Sequence, residues 1–70
     1  VLMYPNPASH FLQLTVRNDA VLLNVQGQAI YDIEGKENEQ VLDVSQLPNG
    51  IYYLRLKDSP ALPQKIIVQH

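Results

Sequence analysis

Ile51-Tyr52-Tyr53-Leu54-Arg55-Leu56-Lys57 is the stretch that decides the fold class. Tyr52, Leu54 and Leu56 alternate with Tyr53, Arg55 and Lys57. A period of two is that of a half-buried strand, because successive side chains point to opposite faces. Just before it, Leu47-Pro48-Asn49-Gly50 reads as a tight turn. Pro48 presets its own φ, and Gly50 or Asn49 tolerates positive φ. Leu47 is placed to plug the core beside that turn. Just after it, Asp58–Pro63 carries Pro60 and Pro63 and reads as a loop. Gln64–Gln69 follows as a last strand, with Ile66 and Val68 opposed to Lys65 and Ile67.

Toward the amino end the same alternation recurs between turn signals. Val41–Val44 is a short strand, and Asp43 and Ser45 beside it are suited to capping backbone donors. Glu34-Gly35-Lys36 is a turn, and Glu37–Gln40 is a polar connection. Gln28–Ile33 is a strand with Ile30 inward, joined by Tyr31 or Ile33. Gly27, between two apolar runs, marks a hairpin turn or bulge that needs positive φ. Ala20–Gln26 is a further strand, with Val21, Leu23 and Val25 on one face and Leu22, open to being covered as well, on the other. Asn18-Asp19 is a turn, and Leu12–Val16 is a strand. Tyr4-Pro5-Asn6-Pro7 opens the chain with two prolines, which forbid helix and favour an extended or turning start. No segment holds a 3.6-residue apolar period between caps. Turn signals every ~8–12 residues are the mark of an all-β sandwich or barrel. Leu14, Leu23, Leu47, Tyr52, Leu54 and Ile66 are expected to be mostly buried.

The 70 residues make room for one domain. A chain of this size buries only about 60% of its unfolded surface. With no Cys, neither a disulfide nor a Cys-based zinc site can support it. The formal net charge of −2 is near neutral, and Arg17, Lys36, Arg55, Lys57 and Lys65 are scattered. A nucleic-acid reader needs clustered cations to displace counterions, so that class is set aside. No apolar run approaches the ~20 residues of a spanning helix. The chain does not begin with Met and is expected to be one piece of a longer protein.

Residues that could carry chemistry are few. Ser9 and His10 are direct neighbours, and in an extended segment neighbours point to opposite sides, which argues against a working pair. His70, at the other end of the chain, is expected to be frayed. Glu34, Glu37 and Glu39 share a loop that could hold calcium, but the D-x-D-x-D-G spacing is missing and a solvated loop is the simpler reading. Tyr31, Tyr52 and Tyr53 could stack a sugar, yet strands use Tyr routinely for packing. No phosphate-binding glycine loop and no H-E-x-x-H occurs. The expectation is a protein that is not an enzyme and has no cofactor, no metal and no small-molecule substrate.

Four blocks, in order and over essentially the whole chain, resemble one family. Tyr4-Pro5-Asn6-Pro7-Ala8-Ser9 with Leu12 is similar to the YPNPAS opening of the type A C-terminal sorting domain of Bacteroidetes type IX secretion cargo. Asn24-Val25-Gln26-Gly27-Gln28 resembles the family's central strand–Gly–Gln segment. Leu42–Leu56 follows its "DvSxLpxGiYxlrl" block, and Lys65-Ile66-Ile67-Val68 its closing strand. Pro60 and Pro63 depart from the family's usual last hairpin, and Gln69-His70 from its more basic tail.

The resemblance implies an Ig-like antiparallel β-sandwich of about seven short strands. It also implies an exported cargo carried from the periplasm through the outer-membrane translocon to the cell surface or the medium. A sortase-type peptidase would then cut before Val1 and join the cargo to anionic lipopolysaccharide. The candidate sorting residues are Tyr4, Pro5, Asn6, Pro7, Gly27, Leu47, Pro48, Gly50, Tyr52 and Lys65. Open strands at Tyr4–Ser9 or Gln64–Gln69 also suggest a strand-mediated homodimer, and Lys65 is placed to discourage such pairing. The competing class is a passive Ig-like or fibronectin-like module for adhesion or carbohydrate binding, which would share the sandwich.

Overall fold

The computed structural model describes residues 2–70 and contains strands and turns with no helix. The strands are β1 (Leu2–Tyr4), β2 (Phe11–Thr15), β3 (Ala20–Leu23), β4 (Ala29–Ile33), β5 (Gln40–Asp43), β6 (Gly50–Leu56) and β7 (Gln64–Val68). Three of them form one sheet in the order β1-β2-β5, and four form the other in the order β4-β3-β6-β7. Every pairing within these sheets is antiparallel. The sequence therefore folds as an all-β sandwich, and the chain passes between sheets at β2–β3, β4–β5 and β5–β6.

The inner faces meet in one apolar core. Leu12, Leu14 and Val16 come from β2 and its end, Ala20 and Leu22 from β3, Tyr52 and Leu54 from β6, and Ile66 and Val68 from β7. Val44 and Leu47 fill the core beneath the β5–β6 turn, as expected of Leu47. No polar or charged residue is buried among the described residues, so burial carries no unpaired desolvation cost there.

The structure corrects the reading of β3. Leu22, only 1% exposed, faces the core, whereas Leu23 is half-buried on the outer face. Val25 lies beyond the strand and is 69% exposed. The reason is that both faces of Ala-Val-Leu-Leu are apolar, so periodicity cannot choose between them. Pairing chooses instead: Leu22 sits between Tyr31 and Leu54, and the ladder to β4 shifts after it. Val21 is covered too, but on the outer side, in a row with Asp32 and Arg55. The Lys57–Asp32 ion pair, 3.0 Å long, bridges β4 and the end of β6 across β3.

The start of the chain also supplies a strand the alternation did not announce, β1, because Leu2–Tyr4 pairs with Gln13–Thr15. Gly35 has a role that its turn signal did not show. A Cβ there would collide with the Arg17 carbonyl oxygen. Gly35 N–H donates to Asp19 Oδ1 at 2.9 Å, and Lys36 N–H to the Val16 carbonyl at 2.8 Å. Glycine is needed because two backbones touch, not because the turn has positive φ.

Candidate functional site

Three of the four motif blocks converge on β7. β7 is the last strand of its sheet, so one row of its backbone groups has no strand neighbour. The Tyr4–Ser9 segment closes that row. Asn6 Nδ2 donates to the Lys65 carbonyl at 3.2 Å, and Ile67 N–H donates to Asn6 Oδ1 at 3.0 Å. The side-chain amide thus stands in for a peptide group of a neighbouring strand. Two residues on, Ala8 N–H donates to the Ile67 carbonyl and Gln69 N–H to the Ala8 carbonyl, both at 2.8 Å. Ala8 forms a parallel bridge to Val68 and is wholly buried. The two prolines flanking Asn6 cannot donate to a ladder, and both of their peptide bonds are cis.

The Leu47–Tyr52 block holds the end of β7. His70 N–H donates to Asn49 Oδ1 at 2.9 Å, and His70 Nε2 donates to the Leu47 carbonyl at 2.7 Å. Gly50 pairs with Val68 at a φ of 155°, in the range that L side chains rarely adopt, and Asn49 has no positive φ. Tyr52 is buried, and its hydroxyl donates to the Pro48 carbonyl at 2.7 Å, tying strand to turn. Before the turn, Asp43 Oδ1 accepts from Ser45 N–H at 2.9 Å and Ser45 Oγ at 2.6 Å. These two bonds, the hydroxyl first, hold the Asp43 carboxyl below its usual range, with the nearby His10 adding to the effect.

The remaining motif residues are placed apart. Tyr4 lies on the outer face of the three-stranded sheet and donates its hydroxyl to Glu39. That bond, more than desolvation or charge repulsion, raises the Tyr4 phenol above its usual value. Gly27, at φ 83°, serves the β3–β4 hairpin. There Asn24 Oδ1 accepts from the N–H groups of Gln26 and Gln28, both at 2.9 Å. Asn24-Val25-Gln26-Gly27-Gln28 is therefore a side-chain-stitched turn, and Val25 is exposed at its tip. Lys65 presents an exposed side chain on the outer face of β7.

Two expectations about histidine are corrected. Ser9 Oγ and His10 Nδ1 lie 3.1 Å apart, because the chain bends after Ala8 instead of running extended. His70 is held by the two bonds above, and its ring meets that of His10 edge to face with centroids 6.2 Å apart. The Ser9–His10 contact is exposed, and no carboxylate orients the imidazole by a hydrogen bond among the described residues. Asp43 Oδ1 instead takes the Ser45 donors. Tyr52 and Tyr53 point to opposite faces of β6, so no three-tyrosine platform forms. Among the described residues no three His, Asp or Glu side chains approach as metal ligands would.

Asn6, Ala8 and Asn49 thus tie β7 and its end to segments far away in the chain. A family model described as the secretion system C-terminal sorting domain matches residues 2–69. No curated protein and no solved structure matches the chain. Because the match spans nearly the whole sequence, the chain belongs to the family of C-terminal sorting domains of type IX secretion.

Proposed function

We propose that the folded sandwich is itself the export signal, directing an attached cargo from the periplasm through the outer-membrane translocon to the surface or medium. The observation that carries this reading is the convergence of Asn6, Asn49 and Gly50 with Lys65–His70 around β7. Residues far apart in sequence are spent on fixing one strand and its end, which is what a signal recognised by shape requires. Later removal by a sortase-type peptidase before Val1, and attachment of the cargo to the cell surface, belong to the same reading. In that chemistry the domain is the substrate and supplies no catalytic residue. Residues 1–70 then act as a single domain closing a larger protein.

The Ig-like reading of the sandwich draws support from strand order, with β1-β2-β5 facing β4-β3-β6-β7. It also draws on the Tyr52–Pro48 bond, which resembles the tyrosine corner of Ig sandwiches. A strand-mediated homodimer is a lesser part of the proposal. The two segments that would exchange, 4–9 and 64–69, pair with each other inside one chain, so exchange requires their separation.

The test is a fusion of Val1–His70 to a fluorescent protein that carries a periplasmic signal, expressed in a type IX-competent host. Fluorescence at the surface or in the medium is expected. Retention of a correctly folded fusion in the periplasm refutes the proposal and favours a passive adhesion or sugar-binding module.

A further inference from the structure

The outer face of the four-stranded sheet carries an apolar stripe, although the opposite outer face exposes more apolar surface at Tyr4, Phe11 and Val41. An antiparallel sheet with one wet face ordinarily alternates apolar-in with polar-out. On β6 and β7 that rule holds at Arg55 and Lys65 and fails at Ile51, Tyr53 and Ile67. The register assembles the exceptions: Ile51 lies opposite Ile67, and Leu23, Tyr53 and Lys65 share the next row. Ile67, Ile51, Tyr53 and Leu23 thus make one stripe across three strands, with Ile51 38% exposed and the others half-buried.

The charges around the stripe are mostly of one sign. Arg55, Lys57 and Lys65 flank it, against Asp32, in a chain whose formal net charge is −2. Lys57 is engaged by Asp32, while Arg55 and Lys65 have no ion-pair partner among the described residues. The opposite outer face differs in chemistry, since it presents Tyr4, Phe11 and Val41 beside Glu39 and Asp43.

We propose that the outer face of β3, β6 and β7 is the surface by which the outer-membrane machinery reads this domain. The occupant is a protein surface with an apolar patch flanked by carboxylates. Ile51, Tyr53 and Ile67 fill the patch, and Arg55 and Lys65 meet the carboxylates. This inference rests on the export reading above and adds the face and the chemistry of the partner. The pattern of an apolar centre with a charged rim, built around a Tyr and an Arg, is that of a protein interface. An anionic lipid surface would call for a cluster of about 4–8 Lys or Arg side chains, and this face has two unpaired ones. The edge of β7 is closed by Asn6 and Ala8, so strand addition at that edge is blocked.

The test uses the export fusion, with benzoylphenylalanine placed at Tyr53 or, as control, at Phe11. Irradiation during export should yield adducts with an outer-membrane protein of the secretion machinery from position 53, on the order of tenfold above position 11. The double variant R55E/K65E should keep the thermal midpoint of the parent and lose export about tenfold. If that variant does not fold, R55Q/K65Q serves the same purpose without charge reversal. Unchanged export of either folded variant overturns the inference, as do equal adducts from both positions. Adducts with lipid or lipopolysaccharide alone also overturn it. These failures leave parental export intact and so fall on the face alone, whereas periplasmic retention of the parent fusion defeats the export reading and this inference together.

Discussion

Asn6→Ala is the perturbation that best separates a structural role for the opening motif from a mere linker role. Asn6 makes two hydrogen bonds to the edge of β7, to the Lys65 carbonyl and the Ile67 N–H. A neutral hydrogen bond contributes about 0.5–1.5 kcal/mol net. Both freed backbone groups lie at an exposed edge where water can replace the amide, which favours the lower half of that range. The loss should be about 1–2 kcal/mol, or a fall of roughly 4–16 °C in Tm for a domain of this length. Urea denaturation of the 70-residue chain measures the first quantity and a thermal scan the second. Hydrogen exchange adds a local readout. Protection of the Ile67 amide should drop more than that of Ile66, whose side chain stays in the core. Asn6→Asp should recover part of the loss, because it keeps the acceptor for Ile67 N–H but places an oxygen against the Lys65 carbonyl. An opened edge should also raise concentration-dependent association, seen by light scattering. The reasoning is refuted if Asn6→Ala leaves stability within about 0.3 kcal/mol of the parent and Ile67 protection unchanged.

Gly35→Ala should destabilise by about 1–3 kcal/mol or more, because the new methyl meets the Arg17 carbonyl, a backbone atom that cannot swing aside; chemical denaturation with no loss would contradict the close approach. Tyr52→Ala should cost about 3–5 kcal/mol through the cavity it opens, and Tyr52→Phe only about 0.5–1.5 kcal/mol through the bond to Pro48; equal effects would place the hydroxyl, not the ring, in control. Gly50→Val should cost on the order of 1–3 kcal/mol from φ alone, since no atom lies within contact of the added Cβ, and its export should fail in step with its stability. Ser45→Ala should raise the Asp43 pKa toward the ordinary carboxylate value, as followed by carboxyl NMR; an unmoved titration would show that Ser45 is not its cause. Because the folded pKa of Asp43 is lowered, its stabilising share is present above the unfolded value near 3.8 and is lost as pH falls through the folded one. Lys65→Ala should leave folding within about 0.5 kcal/mol, and loss of export at unchanged stability would mark a recognition contact.

What the sequence by itself determined is local. Alternation in Ile51–Lys57 and Gln64–Val68 is enough to place β6, β7 and their inward residues, because period two is a property of each strand alone. The turn at Leu47–Gly50, the glycine at 27 and the Asp43–Ser45 bonds follow from short-range backbone chemistry. The ordered motif blocks were enough to indicate the family. Only the tertiary structure decided which face of Ala20–Leu23 turns inward, since both are apolar and the choice lies with β4, β6 and the opposite sheet. It alone joined Asn6 to Lys65 and Ile67, His70 to Leu47 and Asn49, and Gly35 to the backbone at Arg17. Each of these contacts depends on where distant strands come to lie, and no local pattern encodes a distance between residues so far apart in the chain.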